Sequence, residues 1–531
     1  KPTLRLTTVS TAMKRLEEEI GDEIPEHEGE WTDWWANGVA SGPREVAASR
    51  LAKRLAAAAE SPVWGALDEK ERTVLDEIYK DLCLFDEHTW GSSNSVALPD
   101  SLQTQGEYNE KARLAYRPMA RAKLLLSDRV RTRLASEGEG LYVTNTSRLP
   151  WSGWITMPAS CLREEYRSVE DPRSGEKRPL ELLAGLRPFT RPEHEGELSR
   201  ENTAATFPDN APGQTARFWV EAIEAAGIRR LRLSTETVEQ TDAAEQAQPT
   251  FTLDDSGWPT AATWPEMQKP LFLAGFGDFL SVGVPGFAPR WVARDIFTTP
   301  DNARREQLRA EKLEQIPATA EGRATVEENA HTTVFTQHLE HPRLRWATRR
   351  LELHRKEPRA RLTLRINRIA SESPEVFFAV FPLPCEGTLP RASTGGLPWV
   401  PFEDQLPGTC RDYFGIDGWV HYDTPEGDWL WASRDAPLVT FGAPQVLARR
   451  TDPPQEVHRV LAMLFNNRWY TNFVADSHGV MEFQFDVAWQ KDLGGPQEAE
   501  ALAESLQAEP QVLINPAVEE SRFYLDHLYR P

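Results

Sequence analysis

The chain has 531 residues, a length that favours about three domains of ordinary size. It carries 60 Lys and Arg against 81 Asp and Glu, and the net charge of -21 opposes binding to phosphate backbones or anionic membrane surfaces. Nucleic acid and membranes are therefore excluded as expected partners, and no apolar run approaches the ~20 residues of a membrane-spanning helix.

The N-terminal segment predicts one strand and one helix. Residues 4–9 read as a short strand, and Ser10 is the expected cap of a helix that Gly21 ends. Apolar side chains recur in this helix at helical spacing, at Met13, Leu16 and Ile20. A strand followed by a helix is typical of the end of a β/α unit.

Three further helices are predicted over residues 29–138. The first begins at Pro43 with Ser41 as the expected N-cap, the second begins at Asp68, and the third covers residues 107–136. Antiparallel helices joined by loops predict a three-helix bundle.

The apolar period changes from helical to two near Gly140. Residues 139–531 are therefore expected to form one or two large antiparallel β-sandwiches, and the fold class is multidomain α+β. The predicted strands are residues 141–147, 154–157, 218–222, 228–234, 344–354, 361–368, 376–381, 461–465 and 480–489.

Two stretches of this β region lack the alternation of strands. Residues 236–248 are polar and residues 301–328 are charged and rich in Ala, so they are either long excursions or a linker and a surface helix. A break between two β subdomains is therefore expected near residues 236–330.

Four cysteines do not make a disulfide framework in a chain of this length. Cys385 and Cys410 both fall in loop-rich sequence, and a bridge between them is one alternative, two free thiols the other. A bridge needs an oxidising compartment, which slightly favours a periplasmic or secreted location over a cytoplasmic one.

Three blocks of sequence carry a family resemblance. They are residues 29–45 (GEWTDWWANGVASGPRE), residues 82–93 (LCLFDEHTWGSS), and a β block made of residues 141–155 (LYVTNTSRLPWSGWI) and 465–473 (FNNRWYTNF). In this order they resemble glycoside hydrolase family 38, the α-mannosidases, and its bacterial relatives. The resemblance spans nearly the whole chain.

The resemblance implies a retaining exo-glycosidase. One Asp attacks the anomeric carbon, a second carboxyl about 5 Å away acts as acid and then base, and a zinc ion binds sugar hydroxyls. It also implies that residues 1–28 are the last strand and helix of a β/α barrel whose upstream part carries the nucleophile and the first zinc motif. No catalytic residue is therefore assigned in this chain, and the barrel is an expected partner.

His88 is the one zinc ligand of the family with a counterpart here. Its second ring nitrogen would be held by Asp86 or Glu87. Where the family usually has Asp after this His, Thr89 stands here. The alternative is a histidine near a helix C-terminus that packs on Trp90. Zinc is expected in the intact enzyme, and this chain alone is expected to bind none.

Trp31, Asp33, Trp34 and Glu87 are the candidate residues for binding a carbohydrate substrate. Aromatic faces stack on pyranose C–H surfaces, and a carboxylate accepts hydrogen bonds from hydroxyls. The alternative for Asp33 is a turn that precedes a helix. A later group has the same two interpretations, cleft border or core packing, and comprises Asn466, Asn467, Trp469, Tyr470 and Asn472.

The other histidines favour ordinary roles. His421 and Asp423 have His-x-Asp spacing but lie far from where the family places that motif, which favours a chance match over a metal site. His338 and His341 are expected at the surface.

These features favour the C-terminal portion of a retaining exo-glycosidase, silent by itself. A non-catalytic carbohydrate-binding or interaction module is the alternative, because sandwiches with exposed Trp also bind glycans without cleaving them. An upstream barrel-length segment with an early His-x-Asp would decide for the enzyme.

Overall fold

The computed structural model describes residues 4–87, 90–159, 162–163, 165–183, 215–238, 248–283, 296, 298–446, 448–468, 472–515 and 522–524. Helices precede a large β region whose named strands all pair antiparallel, which confirms the α+β class. Within the described ranges, no helix is both long and apolar enough to cross a bilayer.

The N-terminal segment departs from the prediction. Helix α1 covers Val9–Ile20 and is capped by Thr8 rather than Ser10. The predicted strand is wrong for residues 4–8, which have no strand partner in the described chain and so no ladder to join. No residue of α1 is buried, and its apolar stripe faces solvent. A 3₁₀ turn, Gly21–Glu23, follows.

Three helices lie next in the chain, α2 (Pro43–Ala59), α3 (Glu69–Phe85) and α4 (Leu102–Leu134), with 3₁₀ helices at Trp34–Ser41 and Pro62–Trp64. Asp68 and Glu71 form a capping box at the start of α3. Ser41 does not cap α2, because Gly42 occupies that position and Ser41 Oγ accepts from the Val474 N–H. The three helices share one apolar cluster, which includes Ala52, Leu55, Ile78, Leu126 and Val130.

The first sandwich joins two sheets whose strands come from both ends of the β region. The strands are β1 (Leu141–Asn145), β2 (Trp151–Pro158), β3 (Ser168–Asp171), β4 (Glu176–Pro179), β5 (Glu181–Leu183), β6 (Thr215–Ile223) and β7 (Gly227–Ser234). Two strands from the end of the chain complete it, Gln511–Ile514 and Arg522–Tyr524. Side chains such as Val143, Phe218, Leu231 and Val512 form its core.

The second sandwich is larger and follows in the chain. Its elements are β8 (Thr250–Leu253), β9 (Pro259–Thr263), β10 (Asp278–Gly283), helix α5 (Asn302–Lys312), β11 (Glu314–Pro317), β12 (Thr319–Glu328), β13 (Thr332–Glu340), β14 (Leu344–His354), β15 (Arg359–Arg368), β16 (Glu375–Pro382), β17 (Arg391–Thr394), β18 (Leu397–Trp399), β19 (Phe414–Gly415), β20 (Trp419–Thr424), β21 (Gly427–Ser433), β22 (Leu438–Phe441), β23 (Arg459–Asn466), β24 (Gly479–Gln490) and helix α6 (Pro496–Leu506). The two terminal strands of the first sandwich are then β25 (Gln511–Ile514) and β26 (Arg522–Tyr524).

Strand order shows how the layers form. In the first sandwich, β26-β25-β1-β7-β3-β4 faces β2-β6-β5, and in the second, β12-β13-β14-β15-β24-β21-β20-β17-β18 faces β11-β10-β16-β23-β22-β19. The second core is aromatic, with Phe377, Phe381, Trp429, Trp431 and Phe485 among its buried residues.

Three details differ from the sequence analysis or settle its alternatives. Residues 301–328 contain the expected helix, α5, but also strands β11 and β12, which are largely exposed and so carry no apolar alternation. Cys385 and Cys410 are buried free thiols and do not form the bridge. His338 is exposed as expected, whereas His341 is buried.

Arginines on α2 hold the helices against the β region. Arg50 donates from Nε to the Arg434 carbonyl (2.8 Å) and from Nη2 to those of Asp417 and Ser433 (3.0 Å each). Arg54 donates to the Arg434 carbonyl as well (3.0 Å). Burial lowers the pKa of Arg50 to about 10, so these carbonyls stabilise a guanidinium largely removed from water.

Arg50→Ala removes three hydrogen bonds that a charged donor makes to carbonyls of the β region, and we expect it to lower the free energy of unfolding by about 3 kcal/mol. Urea denaturation measures the change. Arg72→Ala, at an exposed position on α3, is the matched control and should cost less than about 0.5 kcal/mol. Equal losses for the two variants would contradict this role for Arg50.

His341 gives a second prediction, on pH. Its Nδ1 accepts from the Arg343 N–H (3.1 Å), so the proton of the neutral ring lies on Nε2, which faces Ser281 Oγ (3.1 Å) and the Ile316 carbonyl (3.2 Å). Burial lowers the pKa of His341 to about 4. Between pH 6.5 and 4 the unfolded chain therefore binds a proton at this histidine that the folded chain does not bind. The free energy of unfolding decreases as the pH is lowered through this range.

We expect the stability lost by the native chain between pH 7 and 4.5 to exceed that lost by His341→Asn by about 2 kcal/mol. Urea denaturation at each pH measures this difference. His338→Asn, at an exposed site, should follow the native chain, and identical slopes for both variants would refute the assignment.

Candidate functional site

The C-terminus of α3 is fixed by a buried lysine. Lys111, 9% exposed, donates from Nζ to the carbonyls of Leu84 (3.1 Å) and Glu87 (2.8 Å) and lies 3.3 Å from Glu87 Oε2. Burial lowers the pKa of Lys111, and Glu87 opposes that shift. The ammonium therefore satisfies helix-end carbonyls just before position 88. His88 and Thr89 lie outside the described residues.

The two carboxylates expected beside His88 both have cationic partners. Asp86 lies 2.6 Å from Lys53 Nζ, and Glu87 is paired with Lys111. Both carboxylates are about half exposed, 48% each, so these pairs are weak and leave oxygen atoms accessible. Within the described ranges, no group of three His, Cys, Asp or Glu could hold a metal ion.

Five aromatic side chains, which we call the aromatic junction, join the helices to the β region: Trp35, Phe85, Trp90, Tyr108 and Phe473. The Trp90 ring centroid lies 5.9 Å from that of Phe85 and 6.2 Å from that of Tyr108, both edge-on. Trp35 and Phe473 are 5.5 Å apart, and Phe473 shares an apolar cluster with Phe85 and Trp90. Edge-to-face contacts of this kind favour one arrangement of the rings.

Backbone hydrogen bonds join the two sides of the aromatic junction. The Trp90 N–H donates to the Asn472 carbonyl (2.7 Å), and the Asn472 N–H donates to the Ser92 carbonyl (2.9 Å). Asn472 has φ of 64°, a left-handed conformation that Asn tolerates better than most residues. A Cβ atom at Gly38 would lie 1.8 Å from the Phe473 ring, so this approach requires glycine. Blocks 29–45, 82–93 and 465–473 thus meet at one place.

The candidate sugar-binding residues near the N-terminus divide into accessible and structural ones. Trp31 is 76% exposed. Asp33 caps the Trp34–Ser41 helix by accepting from the Trp35 N–H (2.7 Å), which confirms the turn interpretation for one of its oxygens. Trp34 is partly buried and donates from Nε1 to Asp412 Oδ2 (3.1 Å), so its polar atom is already used.

The later asparagines are structural, which was the alternative interpretation. Asn466 donates from Nδ2 to the Asn37 carbonyl (3.2 Å), and Asn467 donates to the Ala475 carbonyl (2.9 Å) and accepts from the Glu375 N–H (2.8 Å). Trp469 and Tyr470 lie outside the described residues.

Sequence reasoning missed Lys111, Tyr108 and Arg468, and it did not show that the other junction residues lie together. Arg468 is buried, and its Nε and Nη2 atoms have no hydrogen-bond partner in the described part of the chain. Burial lowers its pKa to about 9. Its place in the block 465–473 was the available signal, but sequence cannot show that a cation is buried.

The His-x-Asp spacing at position 421 does not form a joint site. His421 Nε2 lies 2.7 Å from Asp428 Oδ1 in the core, whereas Asp423 is exposed, 3.9 Å from Arg391. The two side chains of the motif therefore have different partners.

Comparison with known proteins supports the fold. No family model and no curated protein matches the chain. A solved structure of a protein in glycosyl hydrolase family 38 from Enterococcus faecalis matches 98% of the chain with a TM-score of 0.59 and 12% identity. An α-mannosidase from Enterococcus faecalis V583 matches 97% with a TM-score of 0.57 and 12% identity.

The chain spans 64% and 63% of the lengths of these two structures. It therefore has the fold of a large part of the family 38 α-mannosidase structures, as the sequence resemblance implied.

We expect Lys111→Met to lower the free energy of unfolding by about 2 kcal/mol, because two helix-end carbonyls lose their donor. Lys53→Met, which removes only the exposed pair with Asp86, should cost less than about 0.5 kcal/mol. Thermal unfolding of both variants against the native chain measures this, and similar losses would show that Lys111 does not fix this helix end.

Proposed function

We propose that this chain is the C-terminal portion of a retaining exo-glycosidase similar to the family 38 α-mannosidases. Its helices offer a zinc-ligating His88 to an active site that an upstream β/α barrel of the same polypeptide completes, and a carbohydrate is the substrate. The observation that carries the proposal is that the family-like segments 29–45, 82–93 and 465–473 meet at the aromatic junction, within a fold that matches family 38 structures.

In this proposal, α2, α3 and α4 are the three-helix bundle, and residues 1–28 are the last part of the barrel. The shared apolar cluster of the helices supports the bundle. The exposed apolar stripe of α1, at Met13, Leu16 and Ile20, supports a helix that packs against further chain, since such a stripe is otherwise costly in water.

The described residues do not form a zinc site by themselves, so zinc takes no part in the steps assigned to them. We propose His88 as one ligand, to which the barrel adds the others. The accessible oxygens of Asp86 and Glu87 support this, because either carboxylate could exchange its lysine for the second imidazole nitrogen.

The candidate sugar-binding residues of this chain bind and orient the substrate and do not react with it. Trp31, exposed, offers a face for the C–H surface of a sugar ring, and the second oxygen of Asp33 can accept a hydrogen bond from a sugar hydroxyl. Glu87 is the acidic contact next to His88. The nucleophile belongs to the barrel.

We expect the purified chain to release no nitrophenol from 4-nitrophenyl α-D-mannopyranoside above background, with or without added zinc, while the polypeptide extended by its upstream reading frame hydrolyses it. Trp31→Ala in the extended polypeptide should raise KM several-fold, as a stacking contact is lost. Zinc-dependent turnover by the chain alone that His421→Ala abolishes would refute the proposal. An upstream frame without a barrel would favour the carbohydrate-binding module.

A further inference from the structure

A cavity of about 400 Å³ opens in the first sandwich, far along the chain from the aromatic junction. It lies between β6 and the hairpin of β3 and β4. Strand β5 pairs with β6 only at residues 215–217, so within the described chain that side of β6 has no strand partner from residue 218 onward. The cavity therefore forms where the smaller sheet stops short of the hairpin.

The rim of the cavity carries charges that neutralise one another. Arg178 lies 2.8 Å from Glu176 and 3.1 Å from Glu221. Arg229 lies 2.6 Å from Asp171 and is also paired with a second carboxylate, that of Glu224, at 3.3 Å. An ion of either sign would therefore have to break an existing pair, which disfavours a charged ligand.

The hydrogen-bonding capacity of the cavity is not exhausted. Arg173 lines the cavity with a side chain that is 59% exposed, and its guanidinium has more N–H groups than its pair with Glu224 uses. Each carboxylate also keeps lone pairs beyond those its arginine uses. Val169, Val220 and Leu231 give the wall an apolar part.

The free edge of β6 is not open to a peptide strand. Arg178 donates from Nη1 to the Trp219 carbonyl (3.2 Å), so the acceptor that an added strand would need is occupied.

We propose that this cavity binds one neutral sugar residue, at a site separate from the proposed glycosidase site. Sugar hydroxyls donate to carboxylates and accept from guanidinium groups without bringing net charge, and the C–H face of a pyranose packs on the apolar wall. The volume falls in the range of about 300–1,000 Å³ that is typical of small-molecule sites. None of its lining residues belongs to the aromatic junction, so the site stands whether or not the glycosidase proposal holds.

The test uses saturation-transfer NMR on the full chain with methyl α-D-mannopyranoside, methyl β-D-glucopyranoside and sodium D-glucuronate. We expect at least one neutral glycoside to bind and glucuronate not to bind. Ser174, exposed in the turn between β3 and β4, lines the cavity. Ser174→Trp should fill the cavity and weaken binding at least about tenfold, while Ser174→Ala should bind as the native chain does.

Glu221→Gln is the second variant, because it keeps the shape of the rim and removes one acceptor charge. It should weaken binding several-fold. The proposal is overturned if no neutral glycoside binds, if Ser174→Trp binds like Ser174→Ala, or if glucuronate is preferred.

Discussion

The arrangement of this molecule depends on a row of arginines along α2 that donate to backbone carbonyls of the β region. Arg44 reaches the Val480 carbonyl, and Arg50 and Arg54 reach the segment around Ser433 and Arg434. These bonds satisfy carbonyls at the boundary between the helices and the β region, and they give the partly buried guanidinium groups acceptors that replace water. Because a shift of α2 would break these hydrogen bonds, they fix its position in a way that apolar packing alone does not.

The position of α2 determines the rest of the helical layer. Helices α3 and α4 attach to it through the shared apolar cluster, and Lys111 of α4 then fixes the last carbonyls of α3. Glycine also allows a close approach at the start of α2, since a Cβ atom at Gly42 would lie 2.2 Å from the Trp90 ring. The aromatic junction can form only because small residues of the 29–45 block leave room for large rings from the two other blocks.

The sequence was sufficient for much of the local structure, but not for the N-terminal strand or for the caps of α1 and α2. The Asp68 cap of α3 and the strands with alternating apolar residues were predictable because their signals are short-range. Long-range pairing was not: Ile514 lies opposite Leu141 in the first sandwich, and no local pattern shows that the chain returns there. The edge strand β12 is exposed on both faces, so its composition looked like a linker.

The same holds for the candidate site: its residues could be found from local sequence, but their roles depend on partners far away in the chain. The clustered tryptophans near position 31 were visible in the sequence. Their division into exposed Trp31, hydrogen-bonded Trp34 and junction residue Trp35 depends on Asp412 and Phe473, which lie more than 370 positions further along the chain. Likewise, the carbonyls at the end of α3 accept from a lysine on the next helix, and the chain that follows is held at Trp90 and Ser92 by the Asn472 backbone. The described residues on either side of positions 88 and 89 are therefore held by the β region as well as by the helices. In the proposed enzyme, the β region would therefore affect catalysis by holding this part of the helices in place.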